Sequence, residues 1–390
     1  MPKNHQNLLG FKVIKFLKIP GWKVLEIDAA VPLQENYWCP ADSQPLEVLA
    51  VFIGQRGRQR LRFGCCPQCG YLGYIDRPTP DWLAKFYFDV WDNAAAKSGW
   101  PESGSAESSA PAAAPSAAFA DFLKRFPIAQ DRYVCDIGCG TGGTLKSLRQ
   151  LGFSKLIGIE NSRHRAALAA QVSQAKILTA PFESGSAQSE LKKAAPFSLI
   201  FTRHVLEHTY YPDQVVKLAN QLQSTGDFFI NSLPNAAGES SLQILFFLPH
   251  LHSFTPTSFA TLLSRNNYQI VDAGLTTDKE IYCMAQKVSR PVVPAPAGDG
   301  AFSRALTKFQ KGLDLKNNPP SARRYLWYSK KSDGSRQLAV APHYLKILKS
   351  FRWAKKLHYF SLSDLTTRYV SWEEAPLEIQ FDGNIKLLYK

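Results

Sequence analysis

The chain has 390 residues, 45% of them hydrophobic, and carries a formal net charge of +14. That length is enough for a sizeable core shared among two or three domains, while the absence of any apolar run near ~18 residues excludes a predicted spanning helix. The opening Met1-Pro-Lys-Asn-His5 lacks the apolar core of a secretion signal, so a cytoplasmic location is expected.

In chain order, residues 1–93 form a first region. Its start, Leu8 to Ile19, mixes apolar residues with lysines; this pattern suits packing on its own domain, with peripheral contact to a membrane surface as the rival reading. Residues 36–92 are rich in aromatics, glycine and cysteine. Four of the seven cysteines lie between Cys39 and Cys69, which is no disulfide framework. Cys66-Pro-Gln-Cys69-Gly70 is a knuckle of the kind that supplies half of a tetrahedral zinc site. In Cys39-Pro-Ala-Asp42 an aspartate stands where a second cysteine would complete the other half, so Cys39, Asp42, Cys66 and Cys69 are the candidate ligands of a structural zinc, with Cys65 as a substitute.

Residues 94–118, largely Ala, Ser, Pro and Gly, read as a linker. From 119 to 288 strand-like and helix-like patterns alternate. Strands are expected at Tyr133–Ile137, Leu156–Glu160, Lys176–Leu178, Ser198–Thr202, Phe228–Ser232, Gln269–Ala273 and Ile281–Gln286, the last two as an antiparallel hairpin. The alternation predicts an α/β fold with a mainly parallel sheet. A second Pro-rich linker at 291–298 leads into a basic extension, 289–390. From Lys287 to Lys390 there are 19 Lys and Arg against 8 Asp and Glu, a net of +11. This suits an acidic partner, whether a small-molecule or glycan-linked acceptor, a nucleic acid or an anionic surface.

The chemistry concentrates in Asp136-Ile-Gly-Cys-Gly-Thr-Gly142. A buried strand runs into a turn whose glycines permit close backbone approach to a ligand, and a helix N-terminus follows. Glu160 ends the second strand, where a carboxylate accepts from both hydroxyls of a ribose. Gly138, Gly140 and Gly143 also satisfy the dinucleotide fingerprint. Asp136, two residues before the first glycine, tilts against a nicotinamide site, because an acid there suits the charged amino-acid end of a different cofactor.

Val134–Gly142, Gly158-Ile-Glu-Asn-Ser162, Phe197–His208 and Phe229–Asn235 resemble, in order, the motifs of class I S-adenosylmethionine-dependent methyltransferases. The resemblance covers roughly 119–288. It implies a Rossmann-like sheet of seven strands with the last one antiparallel. It also implies S-adenosylmethionine with Asp136, Gly138 and Gly140 lining the methionine end, Cys139 and Gly142 among the cofactor-binding residues, Glu160 on the ribose, Asn161 beside the adenine, and Phe182 stacked on the ring, with His204 bordering the transferred methyl group. The acid this family often sets on the adenine amino group has only Glu183 as a substitute. The cysteine region, with Asp76–Pro80 and Phe86-Tyr87, resembles the zinc-binding module that precedes some sugar C-methyltransferases, although those carry two complete cysteine pairs. The expected fold is thus α/β, with a small zinc-ribbon-like module in front and a basic extension behind.

Three histidines are candidate catalytic groups: His252 first, then His208 and His204, with His250 beside them. A histidine titrates near neutral pH, so His252 and His250 are the candidates for a general base, while His204 or His208 would face the acceptor or close the pocket. His204-Val-Leu-Glu-His208 also matches a zinc-peptidase helix, a reading that Pro212 and the preceding buried strand disfavour. The expected activity is methyl transfer to a small or glycan-linked acceptor, with a sugar among the candidates. RNA or protein methylation through the basic tail, and a non-catalytic binding protein of the same fold, are the rivals.

Overall fold

The structure is a computed structural model. It describes residues 31–54, 58–87, 123–236, 250–277 and 280–290, together with the backbone of short strands at 15–17, 23–27, 327–330, 336–339, 359–361, 366–368, 377–380 and 385–389. The expected linker at 94–118 lies outside the described residues.

The larger sheet has seven strands: β1 (Tyr133–Ile137), β2 (Leu156–Ile159), β3 (Lys176–Leu178), β4 (Phe197–Arg203), β5 (Phe228–Pro234), β6 (Tyr268–Thr277) and β7 (Glu280–Lys287). Their order across the sheet is β3-β2-β1-β4-β5-β7-β6. The first five pair in parallel. β7 runs antiparallel between β5 and β6. This is the expected Rossmann-like architecture, and each strand lies within a few residues of its predicted bounds. β1, β4 and β5 are almost wholly buried, as parallel strands covered on both faces must be.

The order of strands reverses beside β1, so the carboxyl ends of β1 and β4 flank a crevice where open α/β sheets bind ligands. Local signals fix the helices that frame it. Ser162 caps α2 (Arg163–Ser173) and Ser184 caps α3 (Gly185–Ala194), each side chain accepting a backbone N–H. Thr255 and Ser258 cap each other at the start of α5 (Pro256–Arg265), with Pro256 in its first turn. In contrast α1 (Gly143–Gln150) starts after Gly142 with no side-chain cap, which leaves its first N–H groups facing the crevice. α4 (Pro212–Gln221) buries Val215, Val216 and Leu218.

The second sheet has six strands and is built from three distant parts of the chain. Glu47–Gly54, Gln59–Cys65 and Leu72–Tyr74 come from the first region. Leu72–Tyr74 pairs with His252–Ser253, which follows β5 in the chain. On the other edge Leu377–Gln380 pairs in parallel with Glu47–Gly54 and carries Thr366–Arg368. Two further tail strands pair with the amino-terminal end, Tyr359–Ser361 with Lys15–Leu17 and Ile385–Tyr389 with Lys23–Ile27. The described strands of residues 289–390 thus pair with strands of the first region.

One apolar cluster is continuous between the two sheets. It runs from Cys39, Leu46, Tyr71 and Ile75 through Phe254 and Phe259 to Ile137, Phe197 and Phe229. A separate cluster with Val134, Leu148, Leu199 and Met284 fills the other face of the larger sheet.

Candidate active site

The turn after β1 is held by Gly138 and Cys139 N–H groups, which donate to the Ile159 carbonyl at 2.8 and 3.0 Å. Gly138, Gly140 and Gly142 have φ of 72°, 55° and 84°, a region that L side chains rarely adopt. A Cβ on Gly138 would run into Val205 Cγ2, and one on Gly142 would meet Ala169 Cα at 2.9 Å. The glycines therefore shape the loop.

Glu160 reaches across this loop from the end of β2. Its carboxylate accepts from Gly140 N at 3.0 Å and from Ser162 N at 2.9 Å. Asp136 lies beneath the loop and is 3% exposed. Burial, reinforced by the nearby Glu160 charge and only partly offset by Arg203, pushes its carboxyl up to about 7. Asn161 is exposed beside this edge, Phe182 is buried and Glu183 is exposed. Cys139 is buried and touches the space over Gly158, where a Cβ would meet its Sγ at 2.7 Å. The loop, the carboxylate at the tip of β2 and the buried acid fit a ligand with a diol and an ammonium group.

The segment after β4 is a turn instead of a helix, with His204 at φ 51°. His204 sits between two carboxylates, Nδ1 at 3.1 Å from Glu207 Oε1 and Nε2 at 3.1 Å from Glu280 Oε1. Burial opposes its charge, but the two acids outweigh burial and raise it to about 9. The two flanking carboxylates thus favour the imidazolium form of His204. Glu207 is 1% exposed. Burial disfavours its charge, yet the His204 bond and the fields of His208, His204 and His250 hold it down to about 2. His208 Nδ1 lies 3.1 Å from the Tyr87 hydroxyl.

His252, ranked first from sequence, is 2% exposed. Nδ1 is hydrogen-bonded to the Tyr71 hydroxyl and Nε2 lies 3.5 Å from Arg77 Nη1. Its ring stacks near Phe254. Burial and the Arg77 charge push its pKa well below the usual histidine range. With both nitrogens engaged, His252 joins the two sheets. Its N–H donates to the Glu207 carbonyl at 3.2 Å, which pins the 250–254 stretch against the turn after β4.

Sequence reasoning passed over Arg77. It is 0% exposed, donates to the Tyr210 carbonyl at 3.2 Å and lies over the Tyr210 ring. Its Nε and Nη2 have no hydrogen-bond partner among the described residues. It lies within the Asp76–Pro80 stretch of the module resemblance, but nothing in that stretch marks it as buried; only the stacking of the two sheets makes it a buried cation.

The cysteine knuckle folds as its spacing predicts. Gly70 N donates to the Cys66 carbonyl at 3.0 Å. Cys39, Asp42, Cys66 and Cys69 bring one ligand atom each to within 4.8 Å of one another. Cys39 Sγ and Cys69 Sγ are 3.6 Å apart, and Cys66 Sγ is 3.1 Å from Asp42 Oδ2. A tetrahedral site with zinc–sulfur bonds of about 2.3 Å sets its sulfurs roughly 3.8 Å apart, so the donor set fits. Cys65 donates to the Cys66 carbonyl instead and stands outside the group.

Residues 113–273 match the family described as a methyltransferase domain. This stretch of the chain carries a methyltransferase domain. No curated protein matches the chain. Solved structures that resemble it include three methyltransferases. Magnesium protoporphyrin IX methyltransferase from Synechocystis PCC 6803 is 17% identical over 40% of this chain and 69% of its own, with a TM-score of 0.31. Geranyl diphosphate C-methyltransferase from Streptomyces coelicolor A3(2) is 11% identical over 44% and 77%, at 0.36. The 1,6-didemethyltoxoflavin-N1-methyltransferase from Burkholderia thailandensis is 14% identical over 60% and 96%, at 0.40. Likeness at this level does not bear on the acceptor of the methyltransferase domain.

Proposed function

We propose that this protein transfers a methyl group from S-adenosylmethionine to a small anionic acceptor seated between the two sheets. The observation that carries the reading is the joint arrangement of the Gly138–Gly142 loop, Glu160 bonded across it, and buried Asp136 below. The cofactor supplies an activated methyl group, so the protein has mainly to position the acceptor. Glu160 takes the ribose hydroxyls. Asp136 faces the ammonium group, and ionises when that charge arrives. The N–H groups that open α1 remain available to the carboxylate of the methionine end. Cys139, Asn161 and Phe182 border the adenosine side.

Arg77 supports an acceptor that bears a carboxylate, phosphate or acidic hydroxyl, because a buried guanidinium whose Nε and Nη2 lack partners among the described residues is costly until an anion meets it. A sugar carrying such a group fits this requirement and the cysteine module alike. His208 is the histidine of the sequence trio that remains suited to the acceptor side. Zinc on Cys39, Asp42, Cys66 and Cys69 would brace the knuckle that carries Tyr71, the residue bonded to His252.

Isothermal titration of the purified chain with S-adenosylmethionine and S-adenosylhomocysteine tests the reading. Binding in the micromolar range is expected. A folded chain that takes up neither ligand overturns it.

A further inference from the structure

The turn after β4 and the stretch before α5 bring together three side chains that methyl transfer alone does not require. Glu207, His208 and His250 each present one metal-ligating atom, all within 4.8 Å of one another. The His208 and His250 rings meet edge to face, 4.7 Å between centroids. His208 Nε2 lies 3.8 Å from Glu207 Oε1, while its Nδ1 is engaged by the Tyr87 hydroxyl. Glu207 gives Oε1 to His204, but its buried Oε2 has no hydrogen-bond partner among the described residues. A buried carboxylate oxygen left without a donor is costly, and a cation beside it would remove that cost.

We propose that Glu207, His208 and His250 bind a divalent transition-metal ion. Two imidazoles and one carboxylate are the donor set that suits zinc, iron(II) or manganese with coordination positions left open. The Tyr87 hydroxyl on the far nitrogen of His208 fixes the ring so that Nε2 faces the ion, the usual task of an outer partner. His204, bound to the other oxygen of Glu207, orients the carboxylate in the same way. The open positions would take an oxygen of the acceptor, and the ion would polarise it. The site differs from the peptidase-like pair in the sequence. His204 does not join it; His250, 42 residues beyond His208 in the chain, does. Its purpose rests on the methyl-transfer reading, but its existence does not.

The test uses the full chain, freed of metal by a chelator and titrated with zinc(II) and, separately, cobalt(II). Cobalt bound to thiolates gives an intense charge-transfer band that a histidine–carboxylate site lacks, so the two candidate sites are told apart in one sample. We expect a metal equivalent without thiolate character. His250→Gln and His208→Gln should each weaken it by about 100-fold or more, and Tyr87→Phe by about 10-fold. The proposal is overturned if the wild-type chain takes up only thiolate-bound cobalt, or if both glutamine variants keep the thiolate-free cobalt equivalent with wild-type affinity. S-adenosylmethionine binding, measured on the same samples, reports folding. Intact cofactor binding without this metal sinks the metal site alone, whereas intact metal binding without cofactor sinks the methyl-transfer reading alone.

Discussion

Two carboxylates at the cofactor end differ because their surroundings differ. Glu160 is braced by two backbone N–H groups, and Glu160→Gln should weaken S-adenosylmethionine binding by about 10- to 100-fold, since charge-assisted hydrogen bonds contribute about 1.5–3 kcal/mol. Isothermal titration gives the number. Asp136 holds its proton up to about 7, above its unfolded value. In the cofactor-free chain its contribution to stability is complete below the unfolded pKa and is lost as pH rises through about 7. The cofactor's ammonium favours the carboxylate, so binding should release a proton below that pH. Affinity should rise from pH 6 to about pH 7 and then level off. Titration in buffers of different ionisation enthalpy measures the proton, and Asp136→Asn should abolish it. A pH-independent affinity in the wild-type chain would contradict this. The candidate acids were readable from their spacing in the sequence; the upward shift of Asp136 was not, because burial is set by what covers the strand.

Among the elements, the turn between β1 and α1 is the most tightly specified. Gly138 combines a positive φ with the Val205 methyl in the place of a Cβ. Gly138→Ala should cost more than the roughly 1–2 kcal/mol of the left-handed backbone alone, seen as a lowered urea midpoint, and should also reduce cofactor affinity. The strands of the larger sheet were legible because parallel strands buried on both faces read as short apolar runs between turn residues. The segment after β4 was legible as a site but not as a geometry. Its histidines at i and i+4 would share a helix face, yet the chain turns at His204 and directs Glu207, not the pair, inward. The His252–Ser253 strand is two residues long and takes its conformation from its partner Leu72–Tyr74, so no local pattern announces it.

Across the whole molecule, the decisive feature is a core shared between the first region and the methyltransferase domain. His252 sits at that junction, and His252→Leu should destabilise the chain by about 1–3 kcal/mol, because the buried Tyr71 hydroxyl loses its partner. The pH profile of any activity should keep its shape. A profile that lost an ionisation in this variant would restore His252 as a base. If zinc braces the knuckle, a strong chelator should lower the melting temperature, and Cys66→Ser should remove that sensitivity. Removing residues 1–93 should yield an aggregating domain, since it would bare Phe254, Phe259 and their neighbours; size-exclusion chromatography reads the result.

The sequence by itself determined the alternating strands and helices of 119–288, the glycine loop with its two acids, and the spacing of the cysteine knuckle. Each is a local matter, set by periodicity, by backbone freedom at a turn, or by ligand spacing along the chain. Only the tertiary structure decided which histidines carry a proton, which are sealed, and which meet. It placed His250 beside His208 and Arg77 inside the junction, and it paired strands of the basic tail with the first region. Burial and charge fields depend on residues far apart in sequence, so their effects on His204, Glu207 and His252 appear only once the two sheets are stacked.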